Sequence, residues 1–256
     1  MTNGPAVPAA AATAHCLAAR DLVAGYLPGI NILRGVSVEA PRGHVRCVLG
    51  PNGTGKSTLL KVLFGFLPPM EGQVTLDGRS IRGVAPHQMG DHGIAYLPQR
   101  PSIFPHLTVE WNLRLGAWRL KRHRARVDAL VERALEQFAI LAEKRRQPAG
   151  TLSGGQQRQL EIARSLMHDP AVFLIDEPTA GIEPRVAAQI YRFIKELAAQ
   201  GKAVLLVDQN IKRALEIADY VYVMRTGTVL SEGSRESFGG DTEALVARWL
   251  YESGHP

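Results

Sequence analysis

The stretch GPNGTGKST, residues 50–58, decides the fold of this 256-residue chain. It fits the pattern G-x-x-x-x-G-K-[ST], with an almost continuous apolar run before it and a helical pattern after it. In that context the backbone N–H groups of the loop close around nucleotide phosphates, while a lysine adds positive charge and a hydroxyl suits Mg²⁺. We therefore predict a P-loop in which Ser57 also binds magnesium and the nucleotide contacts come from Gly50, Pro51, Asn52, Gly53, Thr54, Gly55, Lys56, Ser57 and Thr58.

A second apolar run supplies the acidic partner that a P-loop needs. The run AVFLIDE reaches Asp176, which is placed to hold the water shell of the magnesium ion. Glu177 follows directly, and a carboxylate beside a metal ligand can orient or deprotonate an attacking water molecule. We predict that Glu177 is the general base of nucleotide hydrolysis. The alternative is that both residues are solvated acids at the end of a strand.

The stretch TLSGGQQRQLEIARS, residues 151–165, contains a second place for an anion. A serine and two glycines at the start of a helix leave free N–H groups at its positive end. This stretch resembles the signature sequence of the ATP-binding-cassette (ABC) family, and the resemblance extends from about Leu17 to about Gly233. In that family two cassettes pair head to tail, and the signature of one caps the ATP held by the other. The resemblance implies that the partner's ATP is contacted by Ser153, Gly154, Gly155 and Gln156.

The same resemblance, together with the pattern of apolar segments, predicts the fold. We expect an α/β cassette of the P-loop NTPase type, with a RecA-like mixed sheet core, an antiparallel β part and a helical subdomain over about residues 100–165. The runs AVFLIDE and AVLLVDQ flank a helical segment that ends at Gly201, which predicts a βαβ unit of a parallel sheet. Residues 1–16 are interpreted as a disordered tail, and residues 17–256 as a single ABC ATPase domain.

Local patterns predict further elements. A hairpin is expected around Asp77 and Gly78, and another within YVYVMRTGTVLSEG. From Thr108 to about Arg146 the pattern is helical, and the spacing of its apolar residues indicates one buried face. That face comprises Val127, Leu130, Val131, Ala134, Leu135 and Phe138.

Two smaller motifs of the resemblance add residues to the nucleotide site. Tyr26, in VAGY, matches the aromatic residue that stacks on adenine, and an aromatic face suits a purine; a packed core tyrosine is the alternative. Gln99, in YLPQ, matches the glutamine that contacts Mg²⁺ and senses the membrane partner. Because an amide accepts at one end and donates at the other, it can couple two surfaces.

The chain departs from the family pattern at two places. The family's switch histidine follows the strand after the catalytic glutamate, and here that strand ends LLVDQN, which places Gln209 at the histidine position. A glutamine can hydrogen-bond a phosphate or a water molecule, but it cannot carry a proton or a positive charge. We expect hydrolysis to continue with altered geometry and with Gln209 in the catalytic set. The loop after Glu177 reads PTAGIEP, with Glu183 nearest to the place of the family's aspartate.

Longer phrases narrow the resemblance within the family. GIAYLPQRPSIFPHLTVEWNLRLGA and LLVDQNIKRALEIADYVYVMRTGTV resemble ATPase subunits of branched-chain and hydrophobic amino-acid importers, including their urea-uptake relatives. The resemblance implies a second ATPase subunit, which is a copy or a relative of this chain, integral membrane permease subunits and, indirectly, a solute-binding protein. The cassette would lie in the cytoplasm, on the inner face of the membrane. An ATPase of lipopolysaccharide export is the nearest alternative, although it normally keeps the histidine.

Composition argues against other classes of protein. No run approaches the roughly 18 consecutive apolar residues of a membrane span, so contact with a membrane would pass through a partner. Cys16 and Cys47 lack the spacing of a metal site, which fits a reducing compartment. The net charge of +6 is concentrated in residues 112–146, which hold ten Lys or Arg and four Asp or Glu.

The basic run RLKRHRAR, residues 119–126, could contact phosphate groups. A soluble ATPase that acts on nucleic acid or the ribosome is therefore an alternative. ABC proteins of that kind usually carry tandem cassettes or long coiled-coil insertions, and neither pattern occurs here. A solvated helix face is the simpler interpretation of the run, and a surface near anionic lipid headgroups is a second. We expect no nucleic-acid partner.

Overall fold

The computed structural model describes residues 16–238. The strands in this range are β1 (Leu17–Ala24), β2 (Leu33–Ala40), β3 (Val45–Leu49), β4 (Glu71–Leu76), β5 (Arg79–Ser80), β6 (Ile94–Leu97), β7 (Val172–Asp176), β8 (Ala203–Asp208), β9 (Tyr220–Arg225) and β10 (Thr228–Ser234). The α-helices are α1 (Lys56–Leu63), α2 (Val109–Gly116), α3 (Arg124–Gln137), α4 (Ala139–Glu143), α5 (Gly154–Ser165), α6 (Pro184–Ala199) and α7 (Ile211–Ile217). Between residues 16 and 238, no helix combines the length and apolar character of a membrane span.

Parts of the predicted tail and of the predicted domain lie outside residues 16–238. Residues 1–15 of the predicted tail lie outside the described residues, as does the C-terminal stretch EALVARWLYESG. Cys16, which the tail prediction included, is fully buried, and its carbonyl accepts a hydrogen bond from the Asp77 N–H. The division of residues 17–256 as one domain stays a prediction.

The antiparallel part is a four-stranded sheet in the order β2-β1-β4-β5. The hairpin between β4 and β5 is confirmed: Leu76 pairs with Arg79 across a two-residue turn. Both turn residues, Asp77 (φ 47°) and Gly78 (φ 77°), have the positive φ that a type I′ turn requires. One face of this sheet packs on the P-loop helix α1, so the antiparallel part covers the nucleotide-binding half of the core.

The core is a six-stranded mixed sheet in the order β10-β9-β3-β8-β7-β6. Strands β9 to β6 run parallel, and β10 pairs antiparallel with β9, which confirms the second predicted hairpin. Strands β7 and β8 are buried along their whole length because layers cover both faces. The helix between them, α6, completes the predicted βαβ unit. The predicted α/β fold with a mixed sheet is therefore confirmed.

Three strand ends place the functional residues at one edge of this sheet. Leu49, the last residue of β3, pairs with Asp208, and Asp176 pairs with Val207. The carboxyl ends of β3, β8 and β7 therefore lie side by side. Because ligands of parallel α/β sheets bind outside the carboxyl ends of the strands, this edge is the expected position of the site.

Helices α2 to α5 share a hydrophobic cluster that is distinct from the clusters on the two faces of the six-stranded sheet. Four residues of the predicted apolar face are buried there, and Leu130 and Phe138 pack against the cluster. The predicted helical stretch is not continuous: a 3₁₀ turn over Trp118–Leu120 separates α2 from α3, and Phe138 separates α3 from α4. At Phe138 the backbone leaves helical dihedrals (φ −121°, ψ 80°), while its ring packs against Phe193 of α6.

Candidate functional site

The P-loop joins β3 to α1. Gly50 is required sterically, because a Cβ at this position would lie 2.5 Å from the Met224 carbonyl oxygen. The Lys56 side chain folds back over the loop, and its Nζ donates to the carbonyls of Gly50 (2.8 Å) and Pro51 (2.9 Å). Burial lowers the pKa of Lys56, and Glu177, 3.8 Å away, opposes that shift. The Lys56 ammonium group is thus held against the backbone carbonyls at the start of the P-loop.

Ser57 and Asp176 form the second contact of the site. The Ser57 hydroxyl donates to Asp176 Oδ1 over 3.1 Å, and the Tyr96 hydroxyl lies 3.5 Å from Oδ2. Asp176 is 3% exposed, and burial raises its pKa. Burial and the neighbouring Asp176 also raise the pKa of Tyr96. A hydroxyl oxygen and a carboxylate oxygen at hydrogen-bonding distance are a donor pair that suits Mg²⁺.

Glu177 is held by two amides. Gln99 Nε2 donates to one carboxylate oxygen at 2.7 Å, and Gln209 Nε2 donates to the other at 2.5 Å. The residue is buried and adopts a left-handed backbone (φ 42°), which is uncommon for a residue other than glycine. The Glu177 N–H donates to the Val207 carbonyl at 2.8 Å. Side chains from three separate loops thus meet at one carboxylate.

The signature turn begins α5. The Ser153 hydroxyl accepts from the Gln156 N–H (3.4 Å), and the Gln156 side chain accepts from the Ser153 N–H (3.1 Å), which is a capping box. A Cβ on Gly155 would lie 2.8 Å from a methyl group of Val186 in α6, whereas a Cβ on Gly154 would meet nothing within 4 Å. The hydrogen bonds that the structure gives Ser153 are local, to Gln156 and Gln157. They do not join the signature turn to the P-loop.

The remaining predicted residue, Tyr26, lies beside the P-loop helix. Its side chain is 52% exposed, so the packed-core alternative is wrong. Its hydroxyl accepts from Lys61 of α1 at 3.1 Å, and the Lys61 ammonium lies 5.4 Å from the centre of the ring. The structure therefore presents an aromatic side chain at the surface next to the phosphate loop. Stacking on adenine stays a prediction.

Two buried clusters were not predicted from the sequence. Arg158, which is 1% exposed, donates to the carbonyls of Pro98 (2.7 Å) and Gln99 and pairs with Glu161. Asp208, which is 4% exposed, accepts from the hydroxyl of Tyr191 at 2.7 Å. Asp208 could have been suspected, because it ends an entirely apolar strand in the same way as Asp176 does.

The structure thus brings together one set of predicted residues and leaves another apart. The set that shares contacts comprises Lys56, Ser57, Gln99, Asp176, Glu177 and Gln209. The signature residues lie at the start of α5 rather than on the P-loop helix α1. Gly155 of α5 packs against α6, and Arg158 of α5 donates to the backbone of the Gln99 loop.

The chain is similar in sequence to a known family and to known proteins. The family described as ABC transporter matches residues 33–180. A probable branched-chain amino acid transport ATP-binding protein, LivF, of Archaeoglobus fulgidus is 41% identical over 216 residues, which cover 83% of this chain and 89% of the relative. A lipopolysaccharide export system ATP-binding protein, LptB, of Acidithiobacillus ferridurans is 35% identical over 230 residues, which cover 88% of this chain and 92% of the relative.

A solved structure gives the same result for the fold. The crystal structure of a nucleotide-free ATP-binding cassette from an ABC transporter matches with a TM-score of 0.79 and 30% sequence identity, and the match covers 94% of this chain and 99% of that chain. The resemblance found in the sequence motifs is therefore confirmed by the family match, by relatives and by the fold. This chain belongs to the ABC transporter family, as an ATP-binding cassette with ATPase function.

Proposed function

We propose that this chain is one of two cassettes that hydrolyse ATP to drive an importer of branched-chain or hydrophobic amino acids, or of a small amide such as urea. The observation that carries the hydrolytic part is the position of Glu177. Its two carboxylate oxygens accept hydrogen bonds from Gln99 and Gln209, next to the P-loop lysine. A carboxylate held in this way, one residue after Asp176, is placed to accept a proton from an attacking water molecule.

The P-loop residues 50–58 would bind the nucleotide phosphates, and Tyr26 would stack on the adenine. Lys56 would exchange its contacts to the Gly50 and Pro51 carbonyls for contacts to phosphate oxygens. The exposed ring of Tyr26 offers the face that such stacking requires. Gln209 would keep Glu177 oriented without adding a positive charge, since an amide does not titrate.

The donor set near the P-loop fits a magnesium ion. Ser57 and Asp176 provide hydroxyl and carboxylate oxygens. The Gln99 amide nitrogen is engaged by Glu177, so its amide oxygen is the atom left for a metal or a metal-bound water. When bound, Mg²⁺ would neutralise charge on the β- and γ-phosphates. The residues of this chain would hold the ion and orient its ligands.

The second cassette would supply the signature to each site. Over residues 16–238, the hydrogen bonds of Ser153 and Gln156 are local, and none joins the signature turn to the P-loop of the same chain. The first turn of α5 presents backbone N–H groups without intrahelical acceptors, and space is open next to Gly154. A partner's ATP would fit there. The partner is either a second copy of this chain or a related ATPase.

The permease would dock beside the Gln99 loop. The cassette would then lie at the cytoplasmic face of the membrane, with a solute-binding protein on the other side. The segment after Gln99 exposes large apolar side chains, namely Phe104, Leu107 and Trp111, with 49%, 37% and 58% of their surfaces accessible. Such a group is typical of an interaction surface. We expect no nucleic acid in this assembly.

The first experiment is steady-state ATPase activity of the purified chain over a range of protein concentrations, beside Glu177→Gln. A rate that rises with the square of concentration would support composite sites built from two copies. A flat, near-zero rate with normal ATP binding would assign the second half-site to another ATPase or to the permease. The Glu177→Gln variant should form an ATP-dependent dimer by sedimentation. Hydrolysis by this variant at the wild-type rate would refute the assignment of the base.

The cargo is tested separately, by uptake in cells that lack the chain. The relative from Archaeoglobus fulgidus is named for branched-chain amino acid transport, so we expect a loss of labelled leucine uptake that Glu177→Gln does not restore. Loss of urea uptake alone would assign the amide branch instead. A defect in surface lipopolysaccharide with normal uptake of both solutes would favour the function for which the LptB relative is named.

A further inference from the structure

A closed ring of contacts joins the loop after Glu177 to the loop after β8. Starting from Glu177, the chain runs two residues on to Thr179, whose hydroxyl lies 3.0 Å from the hydroxyl of Tyr191. The Tyr191 hydroxyl donates to Asp208 Oδ2 at 2.7 Å. Gln209 follows Asp208, and its side chain returns to Glu177. Two covalent segments and three hydrogen bonds therefore form a closed ring that includes the proposed base.

The direction of each hydrogen bond follows from the donors available. A tyrosine has one hydroxyl proton, and an ionised carboxylate can only accept. The Tyr191 proton therefore goes to Asp208, and Thr179 donates its own proton to the Tyr191 oxygen. Each of the two hydroxyl protons is therefore donated once, in the direction that the acceptors allow. The ring is fully satisfied, which favours a single geometry of the two loops.

Asp208 also fixes the backbone that carries Gln209. Its Oδ1 atom accepts from the N–H groups of Gln209 (2.7 Å) and Asn210 (2.9 Å), so the chain turns as it leaves β8. The carboxyl group is 4% exposed and forms no ion pair within residues 16–238. Three donors compensate for its burial, and one of them is the phenol of Tyr191.

We propose that Asp208 and Tyr191 are positioning residues for ATP hydrolysis, which act by holding the Gln209 amide against Glu177. This inference rests on the proposed role of Glu177. A glutamine has no charge to draw it toward a carboxylate, so its orientation depends on the backbone turn that Asp208 sets. Tyr191, from α6, anchors that carboxylate through its other oxygen, Oδ2. Between residues 16 and 238, the hydrogen bonds of these two side chains go to Thr179, Gln209 and Asn210 and to each other, and none goes to the predicted P-loop or metal ligands.

The test is a double-mutant cycle on the rate of hydrolysis. Tyr191→Phe removes one hydroxyl and keeps the ring, and it is made alone and together with Gln209→Ala. Rates are measured in single turnovers with protein in excess, which reaches slow variants, and the dissociation constant for ATP is measured in parallel. Tyr222→Phe is the matched control, because Tyr222 is another buried tyrosine, and its hydroxyl bonds the Glu39 backbone far from the ring. Asp208→Asn extends the series if it folds.

We expect Tyr191→Phe to slow hydrolysis about tenfold, the effect of one weakened hydrogen bond to a charged group, with an unchanged dissociation constant. In the Gln209→Ala background the same substitution should have no further effect. An equal loss in both backgrounds, a wild-type rate for Gln209→Ala, or weakened ATP binding would overturn the inference. Failure of the proposed function is distinguishable, because Glu177→Gln would then hydrolyse ATP at the wild-type rate.

Discussion

Arg158 donates hydrogen bonds to the backbone carbonyls of Pro98 and Gln99, so the helix that begins at the signature is attached directly to the loop that carries Gln99. The guanidinium group is 1% exposed and pairs with Glu161 at 2.5 Å. The other oxygen of Glu161 accepts from the backbone and the hydroxyl of Ser102, each at 2.8 Å. A buried pair with this many bonds fixes the loop relative to the helix.

Arg158→Met should lower the free energy of unfolding by about 3–5 kcal/mol, because it leaves Glu161 buried without its cation. Urea denaturation measures this difference. Arg133→Met, at an exposed arginine of α3, is the control and should stay within about 0.5 kcal/mol of wild type. The double variant Arg158→Met/Glu161→Leu should recover part of the loss. A change below about 1 kcal/mol for Arg158→Met would show that the pair is not needed for stability.

Gly154→Ala and Gly155→Ala should separate activity from stability. A Cβ on Gly155 meets Val186 at 2.8 Å, so Gly155→Ala should cost about 1–3 kcal/mol of unfolding free energy, and Val186→Ala should relieve it. Gly154→Ala has open space and should leave stability equal or slightly higher. It should nevertheless reduce ATPase activity, because the methyl group faces the proposed binding position of a partner's ATP. Thermal unfolding and ATPase rates of both variants check the pair; full activity of Gly154→Ala would contradict it.

Gln209→His should introduce a pH dependence that the natural chain lacks at this position. Gln209 Nε2 contacts Glu177 directly, so a histidine there would become an imidazolium beside the proposed base below a pH of about 6.5. Pairing with that cation would make Glu177 a poorer proton acceptor. The ratio of variant to wild-type rates should therefore fall from pH 8 to pH 5.5. Gln200→His, at an exposed position after α6, should give a constant ratio.

Glu110→Gln should lower the free energy of unfolding at neutral pH and change it less in acid. The guanidinium groups of Arg145 and Arg114 lower the pKa of Glu110 to about 2, from an ordinary value of 4.5. A lowered carboxyl pKa stabilises the fold above pH 4.5, and that contribution is lost as the pH falls from 4.5 towards 2. The difference between wild type and variant should be no more than about 1 kcal/mol, because the ion pairs are partly exposed. Urea titrations at pH 7 and pH 3 measure it; a difference that grows on acidification would contradict this assignment.

The parts of the fold that the sequence predicts correctly are those with local signals. The apolar runs of β7 and β8 and the Asp77–Gly78 turn are recognisable within a few residues, because burial on both faces and positive φ restrict composition. The same holds for the position of Asp176 at a strand end. The helix boundaries within residues 108–146 are not recognisable from the local sequence in this way. The break at Phe138 comes from packing on Phe193, which is distant in sequence.

The pairings within the buried polar clusters have no comparable signal in the sequence, although the place of Asp208 at the end of an apolar strand does. Arg158 and Glu161 lie three residues apart on a helix, which in sequence is typical of a solvated ion pair. Their burial depends on the Gln99 loop, about sixty residues away. The Tyr191 contact to Asp208 likewise joins a helix to a strand end, and neither residue type reveals its partner. Such pairings follow from the tertiary arrangement of the elements rather than from local pattern.

The packing of Gly155 against Val186, with Ile182 also in contact range, has a consequence for communication between nucleotides. In the proposed pair, the signature turn of this chain would contact the ATP of its partner, whereas residues 177–183 would lead from the proposed base for the chain's own ATP to the start of α6. The signature turn and the loop after Glu177 therefore both contact the first turn of α6. A conformational change at one nucleotide of the pair would therefore reach the other through the interior of a single chain. The path would be the contact between Gly155 and Val186.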